Sequence, residues 1–357
     1  MAAPVPIGGE PLVRLTSDAF DGPGFVEATV LPGRGMMLLQ ARLRLPSGEL
    51  CDGLAAPAPT EAAAALNGGP DDFAGNQSFS FGGAILAPFA NRITGRAVAG
   101  AREIETTVDG RAVRLPRNWG GKRPGAAQYA MHGLILQSPV AWRQDEPRAV
   151  SGRLAAGDFG GHWPSATELG FEWRLAAGVL SLRVEARNVG HDRLPMALGW
   201  HPYFALPSGD RRQARLRVPA RARTEVDNYD DVLPTGRLAP TAGSAFDFTA
   251  PGGRALAEQY LDDCFTDLVR QDGEAVVDIL DPAAGLALSV ASPTPQVKAF
   301  QVFAPPDHPF VVVEPQFNLA DPYGDVWPAG FDTGMAHLEP GQALSYDVRV
   351  SASALGT

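Results

Sequence analysis

Leu180-Ser181-Leu182-Arg183-Val184-Glu185-Ala186-Arg187 alternates apolar and polar side chains at every step, and its reading decides the fold. A period of two puts the leucines, Val184 and Ala186 on one face of a β-strand and the charges on the other. The pattern recurs on either side. Leu39, Ala41, Leu43 and Leu45 alternate with Gln40, Arg42 and Arg44 before a Ser47-Gly48 turn. Leu344, Tyr346, Val348 and Val350 alternate with Ser345, Asp347, Arg349 and Ser351. Asp109-Gly110 separates Ile104–Val108 from Arg111–Leu115, and Asp272-Gly273 separates Asp267–Gln271 from Glu274–Leu280. Asp-Gly suits the positive φ that both turn positions need, so each pair predicts an antiparallel hairpin.

Helix is scarce. The best candidate is Thr60–Leu66, with Thr60 as N-cap ahead of Glu61 and four alanines, and Asn67-Gly68 as the stop. Residues 51–80 and 116–130 lose periodicity and read as loop insertions. No repeat, heptad run or long linker divides the 357 residues. The expectation is an all-β chain folded as one large antiparallel β-sandwich, a single domain over residues 1–357.

Composition narrows the function. With 45% hydrophobic and 20% charged residues and no long apolar run, the chain reads as a globular protein with no membrane span. Met1 to Glu10 has neither a basic start nor an apolar block, so no secretory signal is visible. Cys51 and Cys264 form no CxxC pair and no disulfide framework, which points to a reducing cytoplasm. A net charge of −10 argues against a nucleic-acid partner, because phosphate binding needs a basic face. Lys122, in a Gly/Pro-rich loop, and Lys298, in a predicted strand, are the only lysines, which leaves Schiff-base chemistry few candidates.

The histidines His132, His162, His191, His201, His308 and His337 show no H-x-H or HExxH spacing, so no local metal site is legible. Neither a glycine-rich phosphate loop after a strand nor a Gly-x-Ser-x-Gly elbow occurs, and no cofactor is expected. Two histidines keep unusual company. His201 lies in Gly199-Trp200-His201-Pro202-Tyr203-Phe204, where Pro202 is expected to end pairing and leave the imidazole at a strand end. It reads either as a histidine packed among aromatics or as one facing a cavity. His132 precedes Gly133, which permits close approach by a ligand; otherwise it is an exposed loop histidine. Glu314 ends the run Phe310-Val311-Val312-Val313, with Pro315 as its stop, and reads as an arginine's partner or as a base tuned by burial. Arg92, in Asn91-Arg92-Ile93, is an ion-pair partner or a hydroxyl donor. Asp262 and Asp263 bind a polyol or cap a turn.

Taken in order, these islands resemble the aldose 1-epimerase (galactose mutarotase) family. The motifs are Asn91-Arg92-Ile93, His132-Gly133, His201-Pro202-Tyr203-Phe204 and the strand-terminal Glu314. Asp109-Gly110, Asn118, Trp142, Asn188-Val189-Gly190, Asp262 before Cys264-Phe265, and Leu338-Glu339-Pro340-Gly341 fit between and after them. The likeness covers residues 81–350. It implies a galactose-mutarotase-like supersandwich and a mutarotase acting on a monosaccharide without metal or cofactor. Glu314 is then the base at the C1 hydroxyl and His201, as imidazolium, the acid at the ring oxygen. His132, Arg92, Asn91 and Asp262 hold hydroxyls and steady charge. Mutual attraction is expected to raise the proton affinity of His201 and lower that of Glu314, placing the acidic limb of a bell-shaped profile on Glu314.

Leu134 stands where the family commonly has a second glycine, and Phe317 to Gly324 and the loop Trp119–Tyr129 are individual. These departures bear on the sugar rather than the reaction. A hexose-6-phosphate mutarotase would need an arginine cluster, for which Arg211-Arg212 and Lys122-Arg123 are the sources. A non-catalytic sugar-binding protein would lack the acid or the base. A glycosidase would need two flanking carboxylates.

Overall fold

The alternating strand that opens the sequence argument lies deep in a sheet. In the computed structural model, which describes residues 5–121 and 126–356, it forms Val179–Asn188. It pairs on one side with Thr167–Ala176 and on the other with Ala343–Ala354. Leu180, Leu182, Val184 and Ala186 are buried while Arg183 and Arg187 face solvent, as period two requires.

Two large sheets carry the architecture, one of nine strands and one of eleven. Pairing within both is antiparallel. They pack through one hydrophobic core, where Trp173 of the nine-stranded sheet meets Trp200 of the eleven-stranded sheet edge to face at 5.4 Å. Both indole N–H groups donate to backbone carbonyls, Trp173 to Met36 and Trp200 to Gly83. The fold is the expected all-β supersandwich.

The middle of the eleven-stranded sheet positions the site. Its strands run in the order Gly83–Leu86, Gly199–Ala205, Phe310–Gln316, Ala299–Ala304 and Leu261–Leu268. We call the last four the histidine, glutamate, glutamine and aspartate strands. Trp200, Val311, Val313, Phe300 and Val302 face the core. Alternation turns the residues between them to the opposite face.

Several local expectations are corrected. Pro202 and Pro315 do not end their strands, which run on to Ala205 and Gln316. Each proline-bearing strand keeps a neighbour that holds it extended: Pro202 pairs with Gly83 and Pro315 with Phe300. Asp109-Gly110 makes the expected hairpin, but Asp272-Gly273 does not join paired strands. Its positive-φ turn is closed by one bridge, Gln271 to Glu274, and it carries the chain from the eleven-stranded to the nine-stranded sheet. The helix is Pro59–Ala65, with Ala58 rather than Thr60 at the N-cap and no side-chain cap. Proline at the first helical position lacks the N–H that a cap serves.

The described parts of the aperiodic segments are structured. Within 51–80, the segment Pro70–Phe79, two short 3-10 turns either side of a kink at Asp72 to Gly75, is anchored by a buried, two-pronged pair between Arg34 and Asp72, at 2.9 Å on each prong. Within 116–130, Trp119–Gly120 pairs with Gln128–Met131. These segments deliver Phe79, Trp119 and Tyr129 to the wall of a cleft above the central strands. Cys51 and Cys264 are both free. Among the described residues, no helix is long and apolar enough to cross a membrane. Met1 to Pro4, part of the N-terminal reading, lie outside the described residues.

Candidate active site

His201 and Glu314 meet because of register. Gly199 pairs with Gln316 and Tyr203 with Val312, and the same register sets His201 opposite Glu314. The flanking prolines, Pro202 and Pro315, have no N–H to give the ladder, so this stretch is held chiefly from its outer sides. Nε2 of His201 lies 3.4 Å from Oε1 of Glu314. Glu314 is therefore a histidine's neighbour and not an arginine's partner. Both are nearly sealed by protein, with side chains 7% and 2% exposed.

His132 completes a triangle. Its φ is +61°, uncommon for a residue with a Cβ, and two hydrogen bonds to Asn91 hold it. The His132 N–H donates to the Asn91 carbonyl at 2.9 Å, and the Asn91 N–H donates to Nδ1 of His132 at 3.3 Å. In the neutral ring this fixes the proton on Nε2. The ring stands edge-on to His201 at 4.7 Å and to Phe79 at 4.9 Å. Gly133 serves the backbone rather than a ligand: at φ +85°, a Cβ there would lie 2.2 Å from the Ala87 carbonyl oxygen.

Beside this triangle, four side chains close a ring of hydrogen bonds. Arg92 donates to Asn91 Oδ1 at 2.8 Å, and Asn91 donates to Gln301 Oε1 at 3.1 Å. Gln301 donates to Asp262 Oδ1 at 2.6 Å, and Arg92 reaches Asp262 Oδ2 at 3.4 Å. Asp262 and Asp263 lie within a strand and cap no turn; Asp263 points away, to Arg223 and Tyr229. Gln301 was not anticipated. Its one signal is a lone amide in the otherwise apolar run Ala299-Phe300-Gln301-Val302-Phe303, opposite Glu314 once the register is known.

Burial sets the electrostatics. It pushes Glu314 well above the ordinary carboxylate range, with Asp262 adding to the effect and Arg92 opposing it. It pushes His201 down to about 3, helped by Arg92. His132 is held well below its usual value by burial, then His201, then Arg92. This reverses the expected directions: the cost of charge in a sealed site exceeds the attraction between the two partners. Burial therefore favours a neutral imidazole beside a protonated carboxyl, one proton for the pair.

The cleft encloses about 520 Å³. Arg92 is the only arginine or lysine in its wall among the described residues, against Asp230, Asp262 and Glu314. Arg211 is spent on the backbone carbonyls of Ala257, Gln259 and Ala304, and Arg212 on Glu258. Lys122 and Arg123 lie outside the described residues. Lys298 pairs with Asp332 at 2.6 Å and does not line the cleft. His132, His201 and Glu314 bring ligand atoms within 4.8 Å of one another, and they are the residues that could hold a divalent ion here. Such an ion would occupy the acid–base pair itself. Glu314 Oε2 and His201 Nδ1 are buried without a hydrogen-bond partner among the described residues.

Solved structures share this architecture. A galactose mutarotase-like protein from Clostridium acetobutylicum is similar with a TM-score of 0.73 at 16% identity, over 98% of this chain and 97% of that one. The aldose epimerase homologue from C. elegans is similar with a TM-score of 0.71 at 19% identity, over 97% and 99%. A galactose 1-epimerase from Lactobacillus acidophilus NCFM is similar with a TM-score of 0.65 at 18% identity, over 96% and 98%. No curated protein sequence matches the chain. Residues 58–351 match the family model for aldose 1-epimerase, and the chain belongs to that family.

Proposed function

We propose that the protein is a mutarotase that interconverts the α and β anomers of a free, neutral aldose in a reducing cytoplasm. The observation that carries this is the cross-strand pair of His201 and Glu314, 3.4 Å apart and nearly sealed by protein. Ring opening needs a base at the C1 hydroxyl and an acid at the ring oxygen. With cyclic sugar bound, Glu314 is the carboxylate and His201 the imidazolium. Glu314 takes the C1 hydroxyl proton, the bond from C1 to the ring oxygen breaks, and His201 protonates that oxygen. The open aldehyde then faces a protonated Glu314 and a neutral His201.

That is the proton distribution which burial favours. Rotation about C1–C2 presents the other carbonyl face. His201 then takes the proton from the C5 hydroxyl, Glu314 protonates the carbonyl oxygen, and the opposite anomer forms. Arg92, Asn91, His132 and Asp262, joined by Gln301, hold the hydroxyls. Arg92, the single arginine or lysine in the described wall, against Asp230, Asp262 and Glu314, favours an uncharged sugar over its phosphate. Anomer exchange by NMR tests the reaction, and the ¹⁵N shifts of His201 test the assignment. Saturation with cyclic sugar should turn the neutral ring to imidazolium. A ring that stays neutral would exchange the two roles, making Glu314 the acid in the opening step.

A further inference from the structure

A loop at the edge of the eleven-stranded sheet reaches back to the cleft. The strand Ala220–Val226 pairs with the aspartate strand only as far as Arg223, opposite Phe265. Beyond that point it keeps its outer neighbour, Pro234–Pro240, and residues 227–233 join the two. Tyr229, Asp230 and Val232 of this loop line the same cleft as Arg92 and Asp262.

The loop does not keep its shape unaided. Val232 is buried at φ +54°, unfavourable for a β-branched side chain and kept only where the surroundings impose it. Two hydroxyls impose it. Tyr129 donates to the Asp231 carbonyl at 3.2 Å, and the Arg92 guanidinium lies 5.6 Å from the Tyr129 ring. From the loop itself, the Tyr229 hydroxyl lies 2.9 Å from Oδ2 and 3.1 Å from Oδ1 of Asp263 and donates to that carboxylate. Asp263 is fully buried on the core face of its strand, the face opposite Asp262. It also accepts from Nη1 of Arg223 at 3.0 Å and from the Asp262 N–H at 3.3 Å. The loop is thus one contact from both charged members of the ring of hydrogen bonds, Arg92 through Tyr129 and Asp262 through Asp263.

We propose that Asp263 and Tyr229 are positioning residues, whose hydrogen bond fastens the loop as a wall of the sugar site and steadies Asp262. The proposal rests on the mutarotase reading of His201 and Glu314. A carboxylate suits the task, because charge-assisted hydrogen bonds are roughly twice as strong as neutral ones. A purely structural pair of Asp263 with Arg223 would have no need of the tyrosine hydroxyl.

Tyr229→Phe tests this, since it deletes one hydroxyl and leaves the pair of Asp263 with Arg223 in place. With the neutral aldose that the wild type exchanges fastest, KM should rise about fivefold and kcat should stay within about twofold. Asp263→Asn should act in the same direction. The double variant should have no higher a KM than Asp263→Asn alone, because both substitutions remove the same bond. Amide hydrogen exchange over residues 227–233, followed by mass spectrometry, should quicken about tenfold in Tyr229→Phe. An unchanged KM in folded Tyr229→Phe, or unchanged exchange of the loop, would overturn this inference and leave the mutarotase reading standing. Effects on KM that simply add in the double variant would overturn it too. Absence of anomer exchange by the wild type for every aldose would overturn both.

Discussion

At the scale of single residues, the site is governed by the cost of charge. In the proposed reaction the pair works with one proton: below the His201 transition both groups are protonated and no base remains, and above the Glu314 transition no acid remains. The acidic limb of kcat/KM therefore belongs to His201, lowered to about 3, and the alkaline limb to Glu314, raised above its ordinary value. No acidic limb is expected near ~6.5, the value of unperturbed histidine; a limb there would contradict the lowering of His201. Stability carries the same signature. The native state holds the Glu314 proton more tightly than the unfolded chain, so this contribution is full below the unfolded value of ~4.3 and is lost as pH rises through the native one. Glu314→Gln should melt higher than the wild type at pH 8 and close to it at pH 4. A pH-independent difference in Tm would show that the carboxyl is not raised. His201, Glu314, His132, Arg92 and Asp262 were legible as candidates because prolines, glycine or charge sit oddly in apolar runs, the family resemblance added Asn91, and all six line one cleft. Sequence reading missed Gln301, an uncharged amide that shows its use only when register sets it between Glu314 and Asp262. Nor does sequence show how deeply a pair is sealed, which is why the direction of both proton affinities was misjudged.

At the scale of elements, the cleft is half sheet and half wall. Strands were legible wherever one face is buried and the other wet, as in Val179–Asn188. Pro202 and Pro315 misled because a proline looks like a terminator until a neighbour on its other side is known to hold the strand. The walls were illegible for another reason. Pro70–Phe79 has no periodicity and is held by a long-range pair, Arg34 with Asp72, side chains 2% and 0% exposed. Asp72→Ala should destabilise the protein by about 3–5 kcal/mol in denaturant unfolding, because it strands a buried guanidinium. The same variant should raise KM, since Phe79 at the end of this segment packs on His132. A loss under ~1 kcal/mol, the range of a surface pair, would mean the segment is anchored elsewhere.

At the scale of the molecule, two sheets share one core and the eleven-stranded sheet carries the cleft on its other face. The all-β architecture was legible because alternation and turns recur along the chain. The pairing of His201 with Glu314 was not, because antiparallel register between distant strands leaves no mark in either one. The central claim is that this pair turns over a free aldose without metal. It is tested by NMR exchange between the α and β anomers over a panel of neutral aldoses and their 6-phosphates, with exhaustively chelated protein. The expected result is exchange well above the buffer rate for at least one neutral aldose and a lower kcat/KM for its phosphate. Glu314→Gln, still folded, should lose about 10²–10⁴ of the rate. Exchange at the buffer rate for every sugar, or a folded Glu314→Gln variant with near-full turnover, would contradict the claim.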